Sequence, residues 1–217
     1  MNTLSNKNIL IFDLETTGFP EKKRGYTGRN EYYNYTDNDK YNNSRIVSIA
    51  WIFIKKYKNI IDDTQIIEYI RKPIDFSKID NSNIHGITFE KAKKEGILLS
   101  NIMNNKGLRL AIQNCDKIIA HNCLFDLFIL MNECYRLKFD NSLNKLNNLL
   151  DNNNYICTGE LGRNICKIPI KFNKYFKYKM PKLSELYKYF YEKDPDNQHT
   201  AKGDVKTLLF IVDKIFN

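Results

Sequence analysis

Long apolar runs are missing from this chain. No uninterrupted stretch approaches the roughly 18 residues of a membrane span, and the opening Met1-Asn2-Thr3-Leu4-Ser5-Asn6-Lys7 leads into the first predicted strand without a signal-peptide apolar region. These absences give the expectation of a soluble, intracellular protein that binds no membrane. Cysteine is sparse and unpaired in pattern: the five, at positions 115, 123, 134, 157 and 166, are odd in number and show neither Cys-x-x-Cys nor zinc-ligand spacing, so they read as reduced packing residues. Histidine is scarcer still, with three. No shift in composition marks a second domain, and 217 residues suffice for one substantial core, so residues 1–217 are read as a single domain.

What is present is a set of acids in three short clusters strung across the chain. The first is Asp13-Leu14-Glu15, at the end of the apolar, β-branched run Ile9 to Phe12 and just before the turn signal Thr17-Gly18. Strand residues two apart share a face and lie roughly 6.6 to 6.8 Å apart, which suits two divalent ions about 3.5 to 4 Å apart. The second is His121-Asn122-Cys123-Leu124-Phe125-Asp126. It follows the short buried-strand pattern Lys117 to Ala120 and opens a helix with Leu124, Phe128, Met131 and Tyr135 at helical spacing. The third is His199-Thr200-Ala201-Lys202-Gly203-Asp204, where Asp204 falls in the first turn of a helix whose stripe is Val205, Leu208, Leu209, Val212 and Ile215 or Phe216. Five helical steps would put His199 off the face of Asp204, so it belongs to the preceding loop. A histidine there could take a proton from an attacking water, with an unperturbed pKa near 6.5. Taken singly, each cluster also has an ordinary reading. Asp-x-Glu pairs are common on surfaces, a first-turn Asp is favoured by the helix dipole, and His199 could be an exposed loop residue.

In this order and context the three clusters, together with Asn83-Ile84-His85-Gly86-Ile87-Thr88 between the first two, resemble the DEDD superfamily of 3′-to-5′ exonucleases. The resemblance is to its histidine-containing branch, which includes the proofreading subunit of bacterial DNA polymerase III. It covers almost the whole chain and implies an α/β, ribonuclease H-like fold: a mixed central sheet, antiparallel in its first three strands and then parallel, with helices on both faces. It further implies stepwise hydrolysis of the terminal phosphodiester at a 3′ end, releasing nucleoside 5′-monophosphates. In that scheme Asp13, Glu15, Asp126 and Asp204 hold two divalent cations, and His199 is the general base. All-carboxylate ligation favours Mg²⁺ or Mn²⁺ over zinc. Thr16, Thr17 and Phe19 are implied beside the terminal nucleotide, His85 and Ile87 in a segment wedged between the last two bases, and Asn122 in the cleft lining. No organic cofactor is implied, and the partner is a nucleic acid 3′ end.

Strands are predicted at Asn8 to Leu14, Ile46 to Lys55, Thr64 to Arg71, Lys117 to Ala120 and Tyr155 to Thr158, with a turn near Tyr57-Lys58-Asn59. Helices are predicted at Phe89 to Lys94, Leu99 to Asn114, and from Cys123, Lys182 and Ala201. The Asn-rich run Asn141 to Asn154 reads as a polar surface connector. Two segments depart from shorter relatives of the resembled family. Residues 20–44 form a long inserted loop that either lines the cleft, carries a partner contact or is flexible decoration. Residues 155–182 hold seven basic residues against the single acid Glu160, a net +6 of the chain's +9. Phe172, Tyr175, Phe176 and Tyr178 interleave with the lysines, a composition suited either to tracking a nucleic-acid backbone or to a solvated loop with a few buried aromatics.

Three functional readings follow. The first is an exonuclease on DNA 3′ ends serving proofreading, repair or degradation, and the second is the same chemistry on RNA. The third is a catalytically silent end-binding module, against which the full set of acids and the histidine argues. With no polymerase segment in the sequence, the protein either works alone or joins a separate polymerase or repair complex.

Overall fold

The computed structural model describes residues 4–57, 63–170 and 177–217. The apolar run from Ile9 forms β1 (Ile9–Thr16), the middle of a five-stranded sheet. Its neighbour β2 (Ile46–Ile54) is antiparallel, and β3 (Ile67–Ile70) pairs antiparallel with β2. On the other side β4 (Lys117–Ala120) and β5 (Tyr155–Cys157) are parallel to β1, giving the order β3-β2-β1-β4-β5. This is the ribonuclease H-like arrangement that the motif order implies.

Alternation along β1 divides the core in two. Leu10, Phe12 and Leu14 pack with helices α3 (Leu99–Asn105), α4 (Leu108–Asn114), α5 (Cys123–Arg136) and α6 (Asp140–Asp151). Ile9 and Ile11 face the other way, against Ala201, Val205, Leu208, Leu209 and Val212 of α9 (Ala201–Phe216). Helices α1 (Ser82–His85) and α2 (Phe89–Glu95) precede α3 in sequence, and α7 (Thr158–Cys166) and α8 (Leu183–Tyr191) lie between α6 and α9. Among the described residues no helix is long and apolar enough to cross a membrane.

Several sequence expectations need correction. The run from Asn141 to Asn154 is not a connector but mostly helix α6, because Leu143, Leu146, Leu149 and Leu150 recur at helical spacing and bury one side under the asparagines. The helix expected over Leu99 to Asn114 is two helices. Gly107 separates them at φ 88°, a left-handed conformation that a residue with a Cβ adopts at a cost. The strand expected from Thr64 starts at Ile67, after a 3₁₀ turn at Asp63–Gln65. Strand β5 ends at Cys157, and Thr158 begins α7, an element absent from the sequence reading. Part of the turn expected near Tyr57-Lys58-Asn59 lies outside the described residues, as do Lys171, Phe172, Lys174, Tyr175 and Phe176 of the basic segment.

The 20–44 insertion is ordered. It contains two short 3₁₀ helices, Gly28–Glu31 and Asn38–Tyr41, and buries Tyr32 and Tyr41. Tyr32 stacks on Phe128 of α5 at 4.8 Å between ring centroids. From the same helix Asn132 donates to the Tyr35 carbonyl at 2.7 Å and Arg136 donates to the Asn38 carbonyl at 2.7 Å. These contacts dock the insertion on the helix that carries Asp126.

A buried ion network fixes the other side of α5. Glu133 is 1% exposed and accepts from Arg45 Nε at 2.8 Å and Nη2 at 2.9 Å, and from Arg71 Nη1. Arg71 also bonds Asp75 at 2.8 Å, and Arg45 reaches the same carboxylate. Burial alone would push the Glu133 carboxyl up, yet Arg71 and Arg45 hold it below its ordinary value. The network ties the start of β2 and the end of β3 to α5. Glu133→Ala strands two buried guanidinium groups, and is expected to cost about 3 to 5 kcal/mol in urea denaturation. A loss below about 1 kcal/mol would show that these charges hold nothing together.

Candidate active site

Asp13 and Glu15 continue the face of β1 that α9 covers, and the pairing Glu15↔Ser48 precedes an irregularity in the β1–β2 register at Thr16. Asp204 comes down from the first turn of α9. One carboxylate oxygen from each of Asp13, Glu15 and Asp204 lies within 4.8 Å of the others. Asp126 approaches from the first turn of α5 and is buried. The tight turn that places it there puts Asn122 at φ 58°, with the Asn122 carbonyl accepting from Phe125 N at 2.9 Å.

These acids repel one another in a half-buried site, with Asp126 fully buried and Asp13, Glu15 and Asp204 partly exposed. Asp13 is raised well above its ordinary value, first by burial and then by Asp126, Asp204, Glu15 and Glu68. Glu15 is pushed up to about 7 by burial, Asp204 and Glu68. Burial likewise raises Asp126; backbone N–H groups of Leu14 and of Asp126 itself oppose the rise, while Glu15 and Asp204 add to it. Asp204 rises to about 6 by burial, against the opposing charge and backbone N–H of His199. The charges acting on Asp13 are all carboxylates, so a bound cation would relieve their repulsion. Hard divalent cations suit an all-oxygen donor set, and this set fits them.

His199 is exposed in the loop before α9, as its spacing implied, at φ 62°. That loop closes tightly over the helix start. Thr200 accepts from Gly203 N at 3.0 Å, and a Cβ on Gly203 would meet the Asn197 carbonyl oxygen at 2.0 Å, so only glycine fits beside Asp204. A cavity of about 390 Å³ joins His199 and Asp204 to Asn122, His121 and Lys182. His121 is an internal brace: Nε2 donates to the Pro181 carbonyl at 2.9 Å, and Nδ1 accepts from the Thr158 hydroxyl at 3.0 Å. Burial lowers its pKa to about 4, which keeps it neutral.

The residues expected near substrate divide into exposed and internal. Phe19 is 71% exposed, and its ring lies 5.8 Å from that of Phe125, an aromatic partner that the sequence reading passed over. Thr16 and Thr17 are buried: the Thr16 hydroxyl donates to the Gly18 carbonyl at 2.7 Å, and the Thr17 hydroxyl and N–H are both spent, on the Asn43 and Arg45 carbonyls. His85 and Ile87 are buried at the edge of a second cavity of about 340 Å³, between α1 and the start of α9. Burial holds the His85 pKa below its ordinary value. Ile84, beside them, is the exposed large apolar residue of this segment. In the basic segment Arg163 pairs with Glu160 and Lys179 with Glu185, so these two cations are engaged within the fold.

A fifth acid, Glu68 on β3, stands with the cluster. It had no motif to announce it, since its position follows only from the register of the sheet: Glu68 pairs with Ala50, and Ala50 with Asp13.

No family model and no curated protein matches this sequence. Solved structures do. Escherichia coli exonuclease I in a zinc-bound complex with single-stranded DNA is similar with a TM-score of 0.64 at 17% identity, over 96% of this chain and 40% of that one. The nuclease domain of 3′hExo, a DEDDh family member bound to rAMP, gives a TM-score of 0.61 at 12% identity, over 99% of this chain and 94% of that one. A 3′-exonuclease that recognises the histone mRNA stem-loop gives 0.58 at 13% identity, over 98% of this chain and 64% of that one. This chain thus spans about two fifths of exonuclease I and nearly the whole of the 3′hExo nuclease domain. At these identities the likeness is one of fold, and the fold is the one that these 3′-exonuclease structures share.

Proposed function

We propose that this chain is a divalent-metal-dependent 3′-to-5′ exonuclease of the histidine-containing DEDD type, releasing nucleoside 5′-monophosphates from DNA 3′ ends. The observation that supports it best is the meeting of Asp13, Glu15 and Asp204 within 4.8 Å, with buried Asp126 acting on the same charges. Four acids from three elements have no structural reason to converge, because their mutual repulsion costs stability. The likeness to exonuclease I bound to single-stranded DNA agrees with a DNA substrate. RNA is the second reading, favoured by the likeness to the 3′hExo nuclease domain with its bound rAMP.

Asp13, Glu15, Asp126 and Asp204 hold two Mg²⁺ or Mn²⁺ ions. When bound, these ions stabilise charge on the attacking and leaving oxygens of the phosphodiester. His199, on its exposed loop, removes the proton from the attacking water, and its freedom to swing suits it to a base that engages substrate from outside. Phe19 and Phe125 offer ring faces to the terminal base. His85, Ile87 and Asn122 line the flanking cavities, where they shape the seat of the last nucleotides. Thr16 and Thr17 serve by fixing the turn at the end of β1, and their remaining backbone groups border the terminal sugar.

Asp13→Ala or Asp204→Ala is expected to abolish Mg²⁺-dependent mononucleotide release from end-labelled single-stranded DNA, double-stranded DNA and RNA while the circular dichroism spectrum stays native. Turnover like that of the wild type in either variant would remove these acids from the metal site. His199→Ala should lower kcat about 10²- to 10⁴-fold; an unchanged rate from pH 6 to 9 would exclude it as the base. The raised acids also set a pH dependence. Glu15 near 7 and Asp204 near 6 keep protons in the folded state that the unfolded chain has already released, so the cluster's own contribution to metal-free stability is fully present below about pH 4 and is lost as pH rises through 7. By thermal melting, wild type should lose more Tm between pH 5 and 8 than Asp13→Asn does, and Mg²⁺ should raise Tm at pH 8 more than at pH 5. Equal Tm losses in the two proteins would contradict the charge cluster.

A further inference from the structure

Among the described residues, Glu68 is a carboxylate near the cluster that the proposed chemistry does not use. It lies in the row Asp13, Ala50, Glu68 across three strands, on the sheet face that α9 covers. Its Oε1 accepts from the backbone N–H of Lys202 at 3.2 Å and from the Ser48 hydroxyl at 3.4 Å. Lys202 is the second residue of α9, so its N–H is one of those that the helix itself leaves without a partner. Ser48 is the register partner of Glu15. A single oxygen on β3 therefore joins the first turn of α9, two residues before Asp204 and three after His199, to Ser48 of β2, the strand paired with the one that carries Asp13 and Glu15.

Apolar packing alone does not do this. Val205, Leu208, Leu209 and Val212 hold α9 against the sheet, but burial is non-directional and leaves the helix start free to settle over a fraction of an ångström. A carboxylate brought in by helix to complete a ligand set built on a strand needs a directional tie near its own turn. Glu68 also lies at a cost, because its charge adds to the repulsion on Asp13 and Glu15. Against that cost stand the two hydrogen bonds that its oxygen accepts.

We propose that Glu68 is a positioning residue of the exonuclease site: by accepting from Lys202 N–H and Ser48 Oγ it sets where the first turn of α9, and with it Asp204 and the His199 loop, stands over Asp13 and Glu15. The inference rests on the exonuclease reading above. It separates the acceptor oxygen of Glu68, which is required, from its charge, which is not.

The test compares Glu68→Met, which keeps side-chain length without an oxygen, Glu68→Ala, and Glu68→Gln, which keeps an acceptor without charge. Each is assayed on an end-labelled oligonucleotide at a temperature where circular dichroism shows it folded, and Mn²⁺ binding is followed separately by electron paramagnetic resonance. Glu68→Met and Glu68→Ala should lower kcat about tenfold or more with KM within about twofold, as a displaced catalytic group does. Both should weaken Mn²⁺ binding, and Glu68→Gln should recover most of both losses. Wild-type behaviour of Glu68→Met overturns the proposal, and so does a Glu68→Gln as impaired as Glu68→Ala, since the charge would then be what matters. Should the wild type release no mononucleotides at all, the exonuclease reading fails, and the Mn²⁺ series still decides whether Glu68 positions the acids.

Discussion

The repulsion among carboxylates at the end of β1 is the constraint to which the rest of the molecule answers. Asp13 and Glu15 share a strand face, Asp204 descends on them from α9, and Asp126 enters from α5 on the opposite side of the sheet. Left to themselves, like charges in a half-buried site separate or take up protons, and the raised pKa of Asp13, Glu15, Asp126 and Asp204 expresses that pressure. Holding them together requires rigid elements on both faces. The two hydrophobic clusters supply these, one between the sheet and α5, the other between the sheet and α9.

The fastening of α5 is elaborate for this reason. Its core face is set by Leu127, Leu130 and Met131, all buried in the main cluster. Its flanks are set by polar contacts: Glu133 gathers Arg45 and Arg71 from the strand ends, while Asn132 and Arg136 grip the 20–44 insertion. The insertion is therefore part of the frame that holds Asp126. Its stacking of Tyr32 on Phe128 leaves Phe19, at its root, to face outward beside Phe125.

Much of this was legible in the sequence, for identifiable reasons. Asp13, Glu15, Asp126, His199 and Asp204 are all placed by local signals, a strand end or a helix start next to them, and the structure brings the acids together with His199 in the loop beside them. The order of strands and their directions followed from the resemblance that those motifs carry. What escaped was information held between distant residues. Glu68 joins the cluster only through two strand registers, and the Arg45–Glu133–Arg71 network spans three elements. Helix α6 was hidden because asparagines dominate its composition while four leucines alone define its period. Thr17 shows the reverse case: a residue beside the acids whose hydroxyl and N–H turn out to be committed to the chain's own backbone.

The claim on which everything else stands is that these acids converge in order to hold divalent cations. Anomalous diffraction from crystals grown with Mn²⁺ and a nucleoside 5′-monophosphate reads it directly. Manganese peaks bounded by Asp13, Glu15, Asp126 and Asp204, with the phosphate against them, are the expected result. Crystals of the intact protein in which manganese is absent from that position, with the four side chains turned apart, would contradict it.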